Sequence, residues 1–188
     1  MLKPVTYGEL HAAPWKNGGG VTRELASFPP GAGFDDFLWR VSIAEVGASG
    51  PFSSFPGIDR IIVLLDGAGM HLQFSDGCVH ALTDKLTPYA FPGEAQLHAE
   101  LVSPSRDFNL MTRRGRAQGE IAVCRESFTA HGDCRSMLMF CADGAWQIGD
   151  ECLLQQGDHL LLEPPANIPV RQMGANGALL CVQIMLSE

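Results

Sequence analysis

The feature that most constrains the fold of this chain is a succession of short apolar runs closed by turns, with no long amphipathic helix among them. In residues 39–44, apolar side chains alternate with Arg40 and Ser42, as on a strand with two different faces. Residues 61–65 form a continuous apolar run, followed by a glycine turn. The 21 glycines and 12 prolines are spread over such turns. This pattern predicts an all-β chain.

The chain also resembles itself weakly. An apolar strand, a glycine turn, a hairpin and an apolar strand ending at proline occur over residues 63–93 and again over 139–165. Such a duplication predicts two β-sandwich halves. The second copy, with Gly157-Asp158 before its apolar run, resembles the second motif of cupins. We therefore expect a cupin-type β-barrel with two cupin-like halves, residues 1–115 and 116–188, packed as one globular unit.

Composition narrows the class of partner and the compartment. The formal net charge is -8 and no run of Lys or Arg is present, which excludes nucleic acid as the expected partner. An acidic small molecule remains compatible with a local basic pocket. We expect no membrane association, because no signal peptide and no apolar run of about 20 residues is found. Six cysteines without a C-x-x-C pair indicate reduced, buried thiols in a cytoplasmic protein. A homodimer is left open.

The histidines do not follow the spacing of a cupin metal site, which resembles His-x-His, then Glu, then a His after a proline turn. The six histidines are at positions 11, 71, 80, 98, 131 and 159, so no two are two residues apart. Neither Pro92-Gly93 nor Pro164-Pro165 is followed by a histidine. We predict no metal and no other cofactor, and no catalytic nucleophile is indicated either.

Two groups of residues are candidates for binding an anion. The glycine loop at residues 15–24 carries Lys16 and Asn17, and it fits either an anion-binding loop or a flexible entry loop equally well. Arg40 and Arg60 lie on predicted strands, where an inward-facing guanidinium needs an acidic partner from a ligand or from the protein. The candidate protein partners are Asp59, Glu45 and Asp107.

Four segments of the chain, in order, resemble the HutD/Ves family. They are PWKNGGG at 14–20 with TRE at 22–24, WRVSIA at 39–44, GPFSSFPGIDR at 50–60, and DFNLMTRR at 107–114. The resemblance implies a bicupin without cupin metal ligands, encoded beside the histidine-utilisation genes and regarded as a regulator. The implied ligand is an acidic pathway intermediate, urocanate or formylglutamate. The residues shared with the family are Trp15, Lys16, Asn17, Arg23, Trp39, Arg40, Ser42, Arg60, Asp107 and Asn109.

From this set we predict six ligand-binding residues. They are Lys16, Asn17, Arg40, Ser42, Arg60 and Asn109. Arg40 and Ser42 would line the first barrel beside Arg60, and the glycine loop would close its mouth. The alternative function is a metal-free cupin isomerase or hydrolase acting on a small carboxylate, with His71 or Glu24 as general base.

Overall fold

The computed structural model describes residues 2–132, 134–164 and 167–187, and strands dominate it. Regular helical structure in these residues is one 3₁₀ turn, Tyr7–Glu9. The strands are β1 (Ala12–Pro14), β2 (Gly20–Phe28), β3 (Trp39–Val46), β4 (Gly50–Pro51), β5 (Ile58–Asp66), β6 (Met70–Phe74), β7 (Val79–Leu82), β8 (Pro88–Pro92), β9 (Leu97–Leu101), β10 (Ser105–Arg113), β11 (Ala117–Cys124), β12 (Phe128–Ala130), β13 (Ser136–Asp143), β14 (Ala145–Ile148), β15 (Cys152–Gln155), β16 (His159–Leu162), β17 (Ile168–Gln172) and β18 (Ala178–Leu186). Within the described residues, no helix is long and apolar enough to cross a bilayer.

The chain divides into two compact units. One unit is His11–Arg116, and the other combines Met1–Leu10 with Ala117–Glu188. The expected boundary between residues 115 and 116 placed the first ten residues in the first half, and the structure differs there. The physical reason is backbone pairing: Val5 and His159 form an antiparallel bridge with hydrogen bonds of 2.9 and 3.0 Å.

The unit of residues 11–116 contains two antiparallel sheets. The larger sheet has six strands in the order β1-β2-β3-β10-β5-β8, and the smaller has four in the order β4-β9-β6-β7. Glycine allows the sharp connection between β5 and β6, because Gly69 has φ +84° and a Cβ there would collide with the backbone oxygen of Leu82.

An apolar core fills much of the space between these two sheets. From the larger sheet it takes Ala44, Val46, Ile62, Leu64 and Phe91. From the smaller sheet it takes Met70, Leu72, Leu82, Leu97 and Ala99. The same alternation that places Ala44 and Val46 in this core directs Arg40 and Ser42 to the same face of β3. The predicted two-faced character of residues 39–44 is therefore present in the structure.

The other unit also consists of two four-stranded antiparallel sheets, ordered β11-β18-β13-β16 and β12-β17-β14-β15. Its core is rich in sulfur-containing and aliphatic side chains. The buried members are Ala130, Cys134, Met137, Met139, Cys141, Trp146, Ile148, Cys152, Leu154, Leu160, Leu162, Val170, Leu179 and Cys181. Large apolar side chains thus occupy the interior of this unit.

The cysteines are free thiols, but they are not all buried as expected. Cys134, Cys141, Cys152 and Cys181 are buried, whereas Cys124 is half-buried and Cys78 is exposed. Cys78 is exposed because it follows the Asp76-Gly77 turn between β6 and β7, where the chain reverses at the surface.

Candidate ligand-binding site

A group of polar side chains interrupts the apolar interior of the 11–116 unit. We call it the lumen cluster, and its members are Glu24, Ser27, Arg40, Ser42, Arg60, Asp107 and Asn109. The strand register brings these residues together across the larger sheet. Ser42 lies opposite Glu24 on one neighbouring strand and opposite Asn109 on the other. Met111 lies opposite both Arg40 and Arg60.

Arg60 is the most deeply buried cation of this cluster, with 7% of its surface exposed. Its guanidinium lies over the rings of Phe52, Phe55 and Phe91, at 5.3, 5.6 and 5.0 Å from the ring centroids. One of its terminal nitrogens donates a hydrogen bond of 2.7 Å to Oδ1 of Asn109. Among the described residues, its Nε has no hydrogen-bond partner. The aromatic rings stabilise the cation without satisfying its hydrogen-bond donors.

Asp107 extends this chain of contacts along β10. The side-chain nitrogen of Asn109 donates a hydrogen bond of 2.6 Å to Oδ1 of Asp107. Asp107 is only 1% exposed, and its Oδ2 finds no partner in the part of the chain that the structure describes. Asn109 therefore connects a buried cation to a buried carboxyl group.

Burial shifts the ionisation of both groups. Loss of solvation lowers the pKa of Arg60 to about 10, a shift that Asp107 opposes and Arg40 increases. Loss of solvation raises the pKa of Asp107 to about 7, against the opposing effects of Arg60 and of the Asn109 hydrogen bond. The surroundings thus disfavour the charge on both side chains. Each side chain also has one polar atom without a hydrogen-bond partner in the described structure, Nε of Arg60 and Oδ2 of Asp107.

Arg40 is held differently, by an ion pair nearer to solvent. Its Nε donates to Oε2 of Glu24 at 2.7 Å, with side chains 12% and 37% exposed respectively. A terminal nitrogen of Arg40 contacts Ser42 Oγ at 3.3 Å. The second oxygen of Glu24 accepts a hydrogen bond of 2.8 Å from Ser27. Both carboxylate oxygens of Glu24 are therefore engaged.

An exposed aromatic side chain lies at the outer edge of the cluster. The ring of Phe34, on the segment between β2 and β3, lies 5.1 Å from the Arg40 guanidinium and 5.5 Å from the Phe55 ring. Phe34 is 58% exposed. Arg113 anchors this segment by donating hydrogen bonds to the backbone oxygens of Asp35 and Phe37, both at 2.8 Å. The solvent-facing side of the cluster therefore lies beside Phe34, Arg40 and Glu24.

The structure brings together four of the six predicted ligand-binding residues, Arg40, Ser42, Arg60 and Asn109. The loop that carries Lys16 and Asn17 approaches β3 at the end opposite to Arg40, and a ligand-binding role for these two residues stays a prediction. Their loop leads into Gly20, which pairs with Val46, whereas Arg40 pairs with Ser27. Val46 and Arg40 are six positions apart on β3, roughly 20 Å at about 3.3 Å per residue.

The glycine loop has a structural explanation of its own. Gly18 donates a backbone hydrogen bond of 3.0 Å to Trp15, and Gly19 donates one of 3.0 Å to Oδ1 of Asn17. These amide groups are used within the turn and do not converge on an open site. Gly20 is required for packing, because a Cβ there would collide with the backbone oxygen of Glu45.

Of the three acidic residues predicted as partners of Arg40 and Arg60, two pair with other arginines. Glu45 pairs with Arg23 at 2.9 Å, and Asp59 pairs with Arg114 at 2.7 Å. Asp107 does face Arg60, through Asn109 and without a direct ion pair. Sequence reasoning missed Glu24 as the partner of Arg40, although Glu24 is the last residue of the TRE segment that the family shares.

His71, the other predicted general base, lies outside this site. On β6 the alternate residues Met70 and Leu72 are fully buried in the core, so His71 projects from the opposite face. No three His, Cys, Asp or Glu side chains are grouped for metal binding within residues 2–132, 134–164 and 167–187. Metal content stays a prediction.

Comparison with known proteins agrees with this architecture. The HutD family model matches residues 7–180. Protein Ves from Escherichia fergusonii is 40% identical over 152 residues, 78% of each chain. The structure of HutD from Pseudomonas fluorescens matches with a TM-score of 0.87 and 29% identity over 100% of both chains. A cupin conserved-barrel domain protein from Leptotrichia buccalis shares the fold, with a TM-score of 0.62 and 10% identity over 98% of this chain and 97% of that one. The predicted all-β cupin fold with two cupin-like halves is confirmed.

Proposed function

This chain belongs to the HutD family, and on that premise we propose that it binds a small carboxylate in the lumen cluster and thereby regulates histidine utilisation. The ligand is a histidine-degradation intermediate, urocanate or formylglutamate. The family name supports the connection to histidine utilisation. These two intermediates are proposed on chemical grounds, because each carries a carboxylate that guanidinium groups recognise.

The observation that carries this proposal is that the guanidinium of Arg60 is buried without hydrogen-bond partners for all of its donors. Arg60 is 7% exposed, and its guanidinium donates to Asn109 but has no partner for Nε in the described structure. A buried guanidinium with unused donors favours binding of an anion, since a carboxylate accepts two parallel hydrogen bonds from it. The rings of Phe52, Phe55 and Phe91 around it supply apolar contact for the body of a small metabolite.

Arg40 supplies a second positive charge on the same face of the sheet. Because its partner Glu24 is 37% exposed, water can solvate Glu24 if Arg40 turns toward a ligand. Ser42 and Asn109 lie opposite each other on β3 and β10 and add neutral polar groups, Ser42 in contact with Arg40 and Asn109 with Arg60. This arrangement suits a ligand with one carboxylate on Arg60 and a second polar group near Arg40.

The rival function, a metal-free enzyme, finds less support in this geometry. A general base needs an oxygen or nitrogen lone pair directed at the reacting proton. Glu24 uses both of its oxygens, one toward Arg40 and one toward Ser27. His71 projects from the face of β6 opposite to the core.

Calorimetric titration of the purified protein with urocanate and with formylglutamate tests the proposal. We expect saturable binding of at least one of them, and weak or no binding of histidine, whose carboxylate is accompanied by an ammonium group. The same samples, incubated for hours and separated by chromatography, should contain unchanged ligand. Turnover of either compound would favour the enzyme, and no binding of either would refute the proposed ligand class.

A further inference from the structure

The carboxyl group of Asp107 is buried beside the proposed ligand position without a full set of partners. It is 1% exposed, and only Oδ1 is engaged, by Asn109 at 2.6 Å. Oδ2 has no hydrogen-bond partner among the described residues. A buried carboxylate with an unpaired oxygen is costly, and protonation removes much of that cost.

The charges around Asp107 are balanced when no ligand is present. Arg60 on β5 and Arg40 on β3 carry positive charge, and Glu24 on β2 carries negative charge. With Asp107 ionised, the lumen cluster holds two cations and two carboxylates. Other titratable side chains on the inward faces are Tyr89 on β8 and His80 on β7, whose rings stack at 3.5 Å. The strands β6 and β9 present the apolar residues Met70, Leu72, Leu97 and Ala99.

We infer that binding of a carboxylate at Arg60 takes up one proton, and that Asp107 is the group that receives it. This inference rests on the proposed function. A carboxylate added at Arg60 leaves the buried set with a net negative charge, and a proton on Asp107 offsets that one charge. Protonated Asp107 still accepts the hydrogen bond from Asn109 at Oδ1, so Asn109 stays directed at Arg60. Asp107 is in this sense a positioning residue.

The pH range for the effect follows from the burial of this carboxyl group. Burial raises the pKa of Asp107 to about 7, so at pH 8 about 0.9 of the free protein lacks the proton. Affinity should then fall roughly 15-fold between pH 7 and pH 8.5. Burial lowers the pKa of His80 below its ordinary value, in the direction away from this range. Formylglutamate is the suitable probe, since its carboxylates ionise near pH 4.

The test is titration of the protein with formylglutamate at pH 8 in two buffers of contrasting ionisation enthalpy. The difference in apparent binding enthalpy gives the number of protons taken up, about 0.9 per ligand for the unaltered protein. Asp107→Asn should bind with no uptake and with an affinity that stays constant from pH 7 to pH 8.5. The matched control is Asp59→Asn on β5, an exposed carboxylate bonded to Arg114, which should keep the full uptake.

Failure of this inference is distinguishable from failure of the proposed function. If neither formylglutamate nor urocanate binds between pH 6 and pH 8.5, both are refuted. Binding without proton uptake overturns this inference alone. Uptake that persists in Asp107→Asn overturns the assignment to Asp107. Should Asp107→Asn fail to fold, the two-buffer experiment on the unaltered protein still decides whether a proton is taken up.

Discussion

Replacing Arg60 by methionine separates a ligand-binding role from a structural one. Methionine keeps much of the aliphatic volume and removes the charge. Burial lowers the pKa of Arg60 to about 10, so the surroundings disfavour its charge by roughly 3 kcal/mol. Opposing this, the substitution loses the hydrogen bond to Asn109, worth about 1.5–3 kcal/mol, and the contacts with three rings. The two sides nearly cancel.

We therefore expect Arg60→Met to change the free energy of unfolding of the unliganded protein by less than about 2 kcal/mol. Carboxylate binding should weaken by about 2–4 kcal/mol, because the ligand then loses a buried charged partner. That loss corresponds to a roughly 30- to 1,000-fold higher Kd. The measurements are urea denaturation without ligand, and calorimetric titration with urocanate and formylglutamate.

The matched control is Arg23→Met, which removes a half-buried arginine from β2 that pairs with Glu45. Arg23 alternates with Glu24 and so projects from the opposite face of the strand. Its replacement should leave affinity unchanged. If Arg60→Met destabilises the protein by several kcal/mol while affinity is undiminished, Arg60 serves the fold and its proposed role in ligand binding is refuted.

Three further predictions concern the same unit. Arg40→Gln should weaken carboxylate binding at least tenfold. It should cost no more than about 1 kcal/mol of stability, because water can solvate the partly exposed Glu24 once Arg40 is gone. A larger loss of stability in denaturation curves would contradict this. Purified protein should hold no stoichiometric transition metal, and chelators should leave its Tm unchanged; one ion per chain by elemental analysis would overturn this expectation. Burial raises the pKa of Asp107 to about 7, so the folded state binds this proton more tightly than the unfolded state does. The contribution of Asp107 to the free energy of unfolding should therefore fall as pH rises from about 4 to about 7. Asp107→Asn should remove that part of the pH dependence in denaturation curves.

Much of the fold follows from local pattern. Period-2 alternation in residues 39–44 is enough to put Arg40 and Ser42 on one face and the apolar residues on the other, because successive side chains on a strand point to opposite sides. Glycine turns between short apolar runs exclude long helices, and the repeated pattern indicates two halves. The four family segments add the residue types of the site, including Arg60 and Asn109.

The composition of the site was decided by strand pairing between distant parts of the chain. Arg60 and Asn109 are 49 residues apart, and they meet only because β5 and β10 pair in one register. A shift of that register by one residue would turn Asn109 to the other face of the sheet. No local signal encodes such a register, since it depends on how all neighbouring strands bury their apolar faces together.

The same physical reason explains where the glycine loop lies. Pairing of Gly20 with Val46 places the loop of Lys16 and Asn17 at the other end of β3 from Arg40. The sequence by itself determined which side chains alternate in residues 39–44, that the clearest apolar runs are strands, and which charges are available. Only the tertiary structure decided that Asp107 is buried beside Arg60, because burial and charge proximity arise when sheets pack and not within any one strand.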